Sequence, residues 1–112
     1  GYIFDFNGIL AYCTGDMNVG LDNYIHKMTR VKGLRPDILL ICINPGFGNF
    51  GPWEAARFTK FVEPRMVIPM HYNLIEENTV DPQLFLNALV QQQVEAIPVV
   101  MGYGGKYIYR KG

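Results

Sequence analysis

The stretch DILLICINPGFGNFGPWEAARFTKFVEPRMVIPMH, Asp37 to His71, reads as a strand, a helix and a second strand. After its first residue the run to Ile43 is continuously apolar, as expected for a strand covered on both faces. Pro52 stands where a helix opens, because the N–H it lacks would have no partner in the first turn. Glu63-Pro64 closes that helix, since the residue before a proline is pushed out of helical geometry. Arg65 to His71 then forms another buried strand, with Pro69 marking an irregular or ladder-breaking position near its end.

Working outward, the same alternation continues on both sides. Tyr2–Phe6 and Ile9–Thr14 are rich in β-branched and aromatic residues, and Asn7-Gly8 between them is a strong hairpin signal. Leu21, Tyr24, Ile25, Met28 and Val31 recur at spacings of three and four, which lines one face of a helix that Gly33 stops. Asp81-Pro82 caps a third helix running to about Gln93. AIPVV and KYIYR end the chain as short strands around the turn GYGG. Strand–helix repeats of this kind predict an α/β layered fold with a mixed sheet, an N-terminal β-hairpin and three helices.

The bulk properties bound the function. With 112 residues the chain is one domain or a piece of one. Ten basic and ten acidic side chains cancel, and 49% of the residues are hydrophobic. A neutral surface argues against nucleic acid and anionic membrane as partners. No apolar run is long enough to span a bilayer, and the N-terminus lacks a signal-peptide pattern, so a cytoplasmic location is expected. Cys13 and Cys42 lie in strand-like runs with no zinc or redox spacing and read as free, buried thiols.

Gly46, Gly48 and Gly51 match the G-x-G-x-x-G pattern of dinucleotide-binding folds. In those folds the helix begins near the second glycine, whereas Pro52 starts this helix after the third. The strand that follows ends in His71, where an acid for the ribose would be expected. A nucleotide-binding module is therefore the weakest reading.

If the strands run parallel, their carboxyl ends share one edge, where such folds place their chemistry. The polar residues there are Thr14-Gly15-Asp16, Asn44 to Gly51, and His71-Tyr72-Asn73. Asp16 and His71 offer a carboxylate oxygen and an imidazole nitrogen, donors suited to a divalent metal. Two ligands do not complete a site, and the alternative is a capping aspartate and a half-buried histidine. His26 falls toward the helix surface, Glu76-Glu77 reads as a solvated pair, and Trp53 and the other aromatics read as core.

YCTGDMN, then PDILLICINPGFGNFGPWEAARFTKFVEPRMVIPMHYN, then GGKYIY together resemble the C-terminal half of the metallo-β-lactamase superfamily, in the branch around L-ascorbate-6-phosphate lactonase. The similarity covers nearly the whole chain. It implies half of an αββα sandwich, with residues 1–112 as its C-terminal half. It also implies that Asp16, in the Thr-Gly-Asp motif, bridges two metal positions and that His71 binds one of them. The cofactor would be Mn or Zn, as one or two ions. A metal-activated water would attack a lactone, an ester or a phosphoester, with Asp16 orienting it. Asn49, Tyr72 and Lys106 are the rim groups for a small sugar-type substrate, phosphorylated or not.

The family's His-x-His-x-Asp-His loop and a further histidine belong to the N-terminal half and are not in this sequence. The chain alone is therefore expected to be inactive. Its open sheet face is expected to drive self-association or pairing with the N-terminal half. A second reading keeps the fold and drops the catalysis, leaving a partner-assembly domain.

Overall fold

The computed structural model describes residues 2–14, 31–43, 50–70 and 81–101. Five strands form one mixed sheet in sequence order: β1 (Tyr2–Phe6), β2 (Ile9–Cys13), β3 (Ile38–Cys42), β4 (Met66–Met70) and β5 (Ile97–Pro98). β1 and β2 are antiparallel, while β2 to β5 are mutually parallel. Helix α1 (Pro52–Val62) crosses from β3 to β4, and helix α2 (Pro82–Gln91) crosses from β4 to β5. The helix expected over Leu21–Val31 lies outside the described residues except for Val31, and so does the strand expected at KYIYR.

Local chemistry explains most of these boundaries. Asn7 and Gly8 both have positive φ, 53° and 89°, which is the geometry a two-residue turn needs to match the twist of its strands. The Asp5 carboxylate closes the turn by accepting the Gly8 N–H at 2.9 Å. Helix α1 starts at Pro52, as the sequence predicts, after an extended Gly51. It ends at Glu63, whose left-handed backbone donates its N–H to Thr59 O. Asp81 caps α2 by accepting the Gln83 N–H at 2.9 Å.

Helix α2 stops two residues before the expected Gln93. Gln93 adopts a φ of 56° and donates to Val90 O, while Val94 donates to Leu89 O. This pair of bonds is a Schellman termination, with glutamine in the position that glycine usually takes.

Pro69 does not break the sheet. On the β3 side, Met66 donates to Asp37 O and Met70 accepts from Ile43. On the β5 side, Val67 accepts from Val99. Pro69 shares the direction of Val67, so its missing N–H points past the end of the two-residue β5.

Side chains alternate across the sheet, and the two faces differ. Tyr12, Leu39, Ile41 and Val67 form the inner rows and pack against Phe58 and Val62 of α1 and Phe85 and Leu89 of α2. Both crossovers step the same way along the sheet, and a right-handed hand places both helices on this one side. The outer rows hold Phe4, Ala11, Ile38 and Met66 in one register line and Tyr2, Cys13, Leu40 and Ile68 in the next. Tyr2, Phe4 and Phe6 are 71%, 45% and 60% exposed, and Trp53 of α1 is 52% exposed. The expectation that the aromatics are core is therefore wrong for these four. Cys42 is buried as expected, whereas Cys13 is only half-buried; both are free thiols.

Asp37 is a feature that hydropathy alone conceals. It is 3% exposed, and its carboxylate accepts the Leu10 N–H at 2.8 Å while its own N–H donates to Leu10 O at 2.8 Å. Its carbonyl also accepts from Met66, so one residue ties β2, β3 and β4 together at their amino ends. Asp37→Ala is expected to lower the unfolding free energy by about 1–3 kcal/mol, the cost of leaving the part-buried Leu10 N–H without its acceptor. A urea titration followed by circular dichroism checks this, and an unchanged midpoint contradicts it.

Candidate functional site

The parallel strands β2, β3 and β4 end side by side, and the described residues at that edge are Thr14, Ile43 and Met70. Thr14 is 2% exposed and donates its N–H to Leu40 O at 3.0 Å, continuing the β2–β3 ladder by one residue. Ile43 is fully buried and donates to Met70 O at 3.2 Å, continuing the β3–β4 ladder in the same way. The edge is therefore held rigidly up to the point where the polar segments of the sequence begin. Phe50 and Gly51, buried before α1, return the chain to it.

Asp16, His71, Asn49, Tyr72 and Lys106 all lie outside the described residues, as do Gly46, Gly48 and His26. Among the described residues, no group of three or more His, Cys, Asp or Glu side chains can hold a metal ion. The donors named from the sequence are of the right kind, since a carboxylate and an imidazole both bind Zn and Mn. They supply fewer than the three protein ligands typical of a catalytic metal centre. Any metal held here needs further ligands from outside the described residues.

Thr14 is the site-adjacent residue to which the sequence reading assigned no role. It is a buried polar side chain at the end of an otherwise apolar strand, immediately before Gly15-Asp16. Its signal in the sequence is the abrupt change from ILAYC to TGD.

A cleft of about 400 Å³ lies at the opposite, amino-terminal edge of the sheet. Arg35, Lys60, Glu63 and Glu95 line it, two cations and two carboxylates. Arg35 approaches Glu63 at 4.0 Å, and Lys60 donates to Gln92 O at 3.0 Å. The cleft is balanced in charge and stands away from the strand ends that precede Asp16 and His71, so it is not the candidate site.

No protein-family model matches the chain. A UPF0173 metal-dependent hydrolase of Archaeoglobus fulgidus is 31% identical over 112 residues, spanning 99% of this chain and 46% of that protein. Igni18, a metallo hydrolase from Ignicoccus hospitalis, superimposes with a TM-score of 0.56 at 27% identity, over 67% of this chain and 32% of that one. A protein of Thermotoga maritima assigned to the Zn-dependent hydrolases of the metallo-β-lactamase superfamily superimposes with a TM-score of 0.63. It is 24% identical and matches 88% of this chain and 56% of that chain. The chain spans less than half the length of the curated relatives it matches. No described helix is long and apolar enough to cross a membrane.

Proposed function

We propose, from the metallo-β-lactamase fold of this chain and its kinship with the UPF0173 metal-dependent hydrolases, that it forms the C-terminal half of a metal-dependent hydrolase. The observation that carries this reading is the register of the sheet. Ala11, Ile38 and Met66 share a row, as do Cys13, Leu40 and Ile68. The strands β2, β3 and β4 thus reach one edge in a common register, and in the sequence the segments carrying Asp16 and His71 follow β2 and β4 there.

Two strand spacings, about 10 Å, separate the ends of β2 and β4. Two opposed side chains and two metal–ligand bonds of about 2 Å bridge such a distance. Asp16 follows Thr14 by two residues and His71 follows Met70 by one, and each peptide step covers at most about 3.8 Å. Chain connectivity alone therefore keeps both within about 8 Å of Thr14 and Met70, the last described residues at that edge.

A divalent ion, Mn or Zn, supplies two things when bound: a water of lowered pKa and polarisation of the carbonyl it faces. The residues of this chain supply the rest. The Asp16 carboxylate accepts a hydrogen bond from the attacking water and fixes its direction. His71 contributes a neutral imidazole donor. Asn49, Tyr72 and Lys106 are the rim groups of a lactonase-like pocket for a small sugar-type lactone or ester, with the Lys106 ammonium paired to a phosphate where one is present. The remaining ligands come from an N-terminal half, in a His-x-His-x-Asp-His loop.

The 112-residue chain by itself is therefore expected to show no lactone hydrolysis with Mn or Zn added, while the longer protein carrying both halves turns over. Steady hydrolysis assays on the two proteins decide this. Turnover by the 112-residue chain alone overturns the division of ligands between halves.

A further inference from the structure

We propose that Asn7, at the tip of the β1–β2 hairpin, is a site of spontaneous deamidation to aspartate and isoaspartate, and that the Asp5 carboxylate restrains the reaction. Eight asparagines occur in the sequence, and Asn7 is the one followed by glycine. In this chemistry the backbone nitrogen of the next residue attacks the asparagine side-chain amide. A glycine there has no Cβ to crowd the approach. Asn7 and Gly8 are both exposed, so water reaches the tip.

The Gly8 nitrogen gives its proton to hydroxide and forms a bond to Asn7 Cγ. The Cγ–Nδ2 bond breaks, and Nδ2 takes up a proton and leaves as ammonia, closing a five-membered imide. Water then adds to one of the two imide carbonyls. Breaking the bond from nitrogen to Cγ gives aspartate. Breaking the bond from nitrogen to the Asn7 carbonyl carbon gives isoaspartate, in which the main chain runs through the side chain. The sum is asparagine and water to aspartate or isoaspartate and ammonia, with no oxidant or reductant.

The folded turn opposes this at the attacking atom. Gly8 donates its N–H to Asp5 Oδ1 at 2.9 Å. A deprotonated nitrogen so close to a carboxylate is repelled, so the proton stays where ring closure needs it gone. The backbone opposes closure as well. A near-planar imide eclipses Asn7 Cβ with the Gly8 nitrogen about the Cα–C bond. The φ values of 53° and 89° mark a type I′ turn, whose first central residue has that bond rotated well away from the eclipsed arrangement.

The product acts on one strand. Isoaspartate lengthens the main chain of the tip by one methylene, and a two-residue turn has no slack to absorb it. All five residues of β1 are exposed, and β1 is an edge strand that pairs with β2. Conversion therefore loosens β1 and leaves β2 to β5 in place. None of this involves a metal, so it stands apart from the hydrolase reading.

The test is incubation of the 112-residue chain at neutral pH, folded and in urea, with peptide mapping by mass spectrometry to follow each asparagine. Isoaspartate is expected first at position 7, and more slowly in the folded chain than in urea. Asp5→Ala is expected to raise the folded rate at least about threefold, as opening the turn no longer breaks a hydrogen bond to a charged acceptor. Asp5→Ser, which keeps a neutral acceptor, is expected to fall between, and all three rates should coincide in urea. Asn7→Asp, which carries the new charge without the extra methylene, is expected to keep the β1 amides protected from exchange, whereas isoaspartate chains lose that protection. The proposal is overturned by faster conversion at any other asparagine, by equal rates in the folded chain and in urea, or by an Asp5→Ala rate at or below wild type. Equal protection of β1 in the isoaspartate and Asn7→Asp chains overturns the effect assigned to that strand.

Discussion

Phe58→Ala is expected to remove about 3–5 kcal/mol of stability, the range for deleting a buried phenylalanine. Domains of this size are stable by about 5–15 kcal/mol in all, so the variant is left at the margin of folding. Phe58 is the residue through which sheet and helices meet. It is fully buried, with its ring 6.4 Å from Tyr12 on β2, 5.6 Å from Phe50 before α1, and 5.9 Å from Phe61 on its own helix. Truncation leaves a cavity bordered by three rings that the backbone of α1 holds apart, because Ala55, Ala56 and Val62 on the same helix are themselves fully buried. Denaturant titration checks the loss. A drop below 1 kcal/mol shows that the site collapses around the missing ring and that the core is less rigid than described.

The strand–helix–strand centre was legible because each of its elements is announced twice, by periodicity and by punctuation. Pro52 and Glu63-Pro64 bracket α1, and Asn7-Gly8 fixes the hairpin with the φ values its residue types favour. Coverage of a sheet face was not legible. Apolar residues in β1 look alike whether a helix covers them or nothing in the described structure does, so Tyr2, Phe4 and Phe6 passed for core. Asp37 escaped notice because its role is set by a strand 27 residues away, through the Leu10 N–H. Trp53 was misplaced because the helical face that packs inward is set by Ala55, Phe58, Thr59 and Val62, and position 53 falls off that stripe. At the candidate site, residue types and strand ends pointed to Asp16 and His71. That β2, β3 and β4 reach that edge in one common register depends on the ladder, which no single strand carries in its sequence.

In the longer protein, Asp16→Ala and His71→Ala are each expected to lower kcat/KM for a lactone substrate by at least about a hundredfold. Losing even an indirect metal partner costs about 10–100-fold, and both residues are proposed as direct donors. The two changes should not be additive, because either one empties the same centre. Neither should shift the denaturation midpoint as Phe58→Ala does, since in the sequence both follow the described ends of β2 and β4, whereas Phe58 lies within the buried core.

The most direct measurement is the metal content of that protein, wild type and both variants, after purification and exhaustive dialysis. The account predicts one or two equivalents of Mn or Zn per chain in the wild type and a loss of at least one equivalent in Asp16→Ala and in His71→Ala. Metal content unchanged in both variants would contradict it, and with it the assignment of Asp16 and His71 to a metal centre.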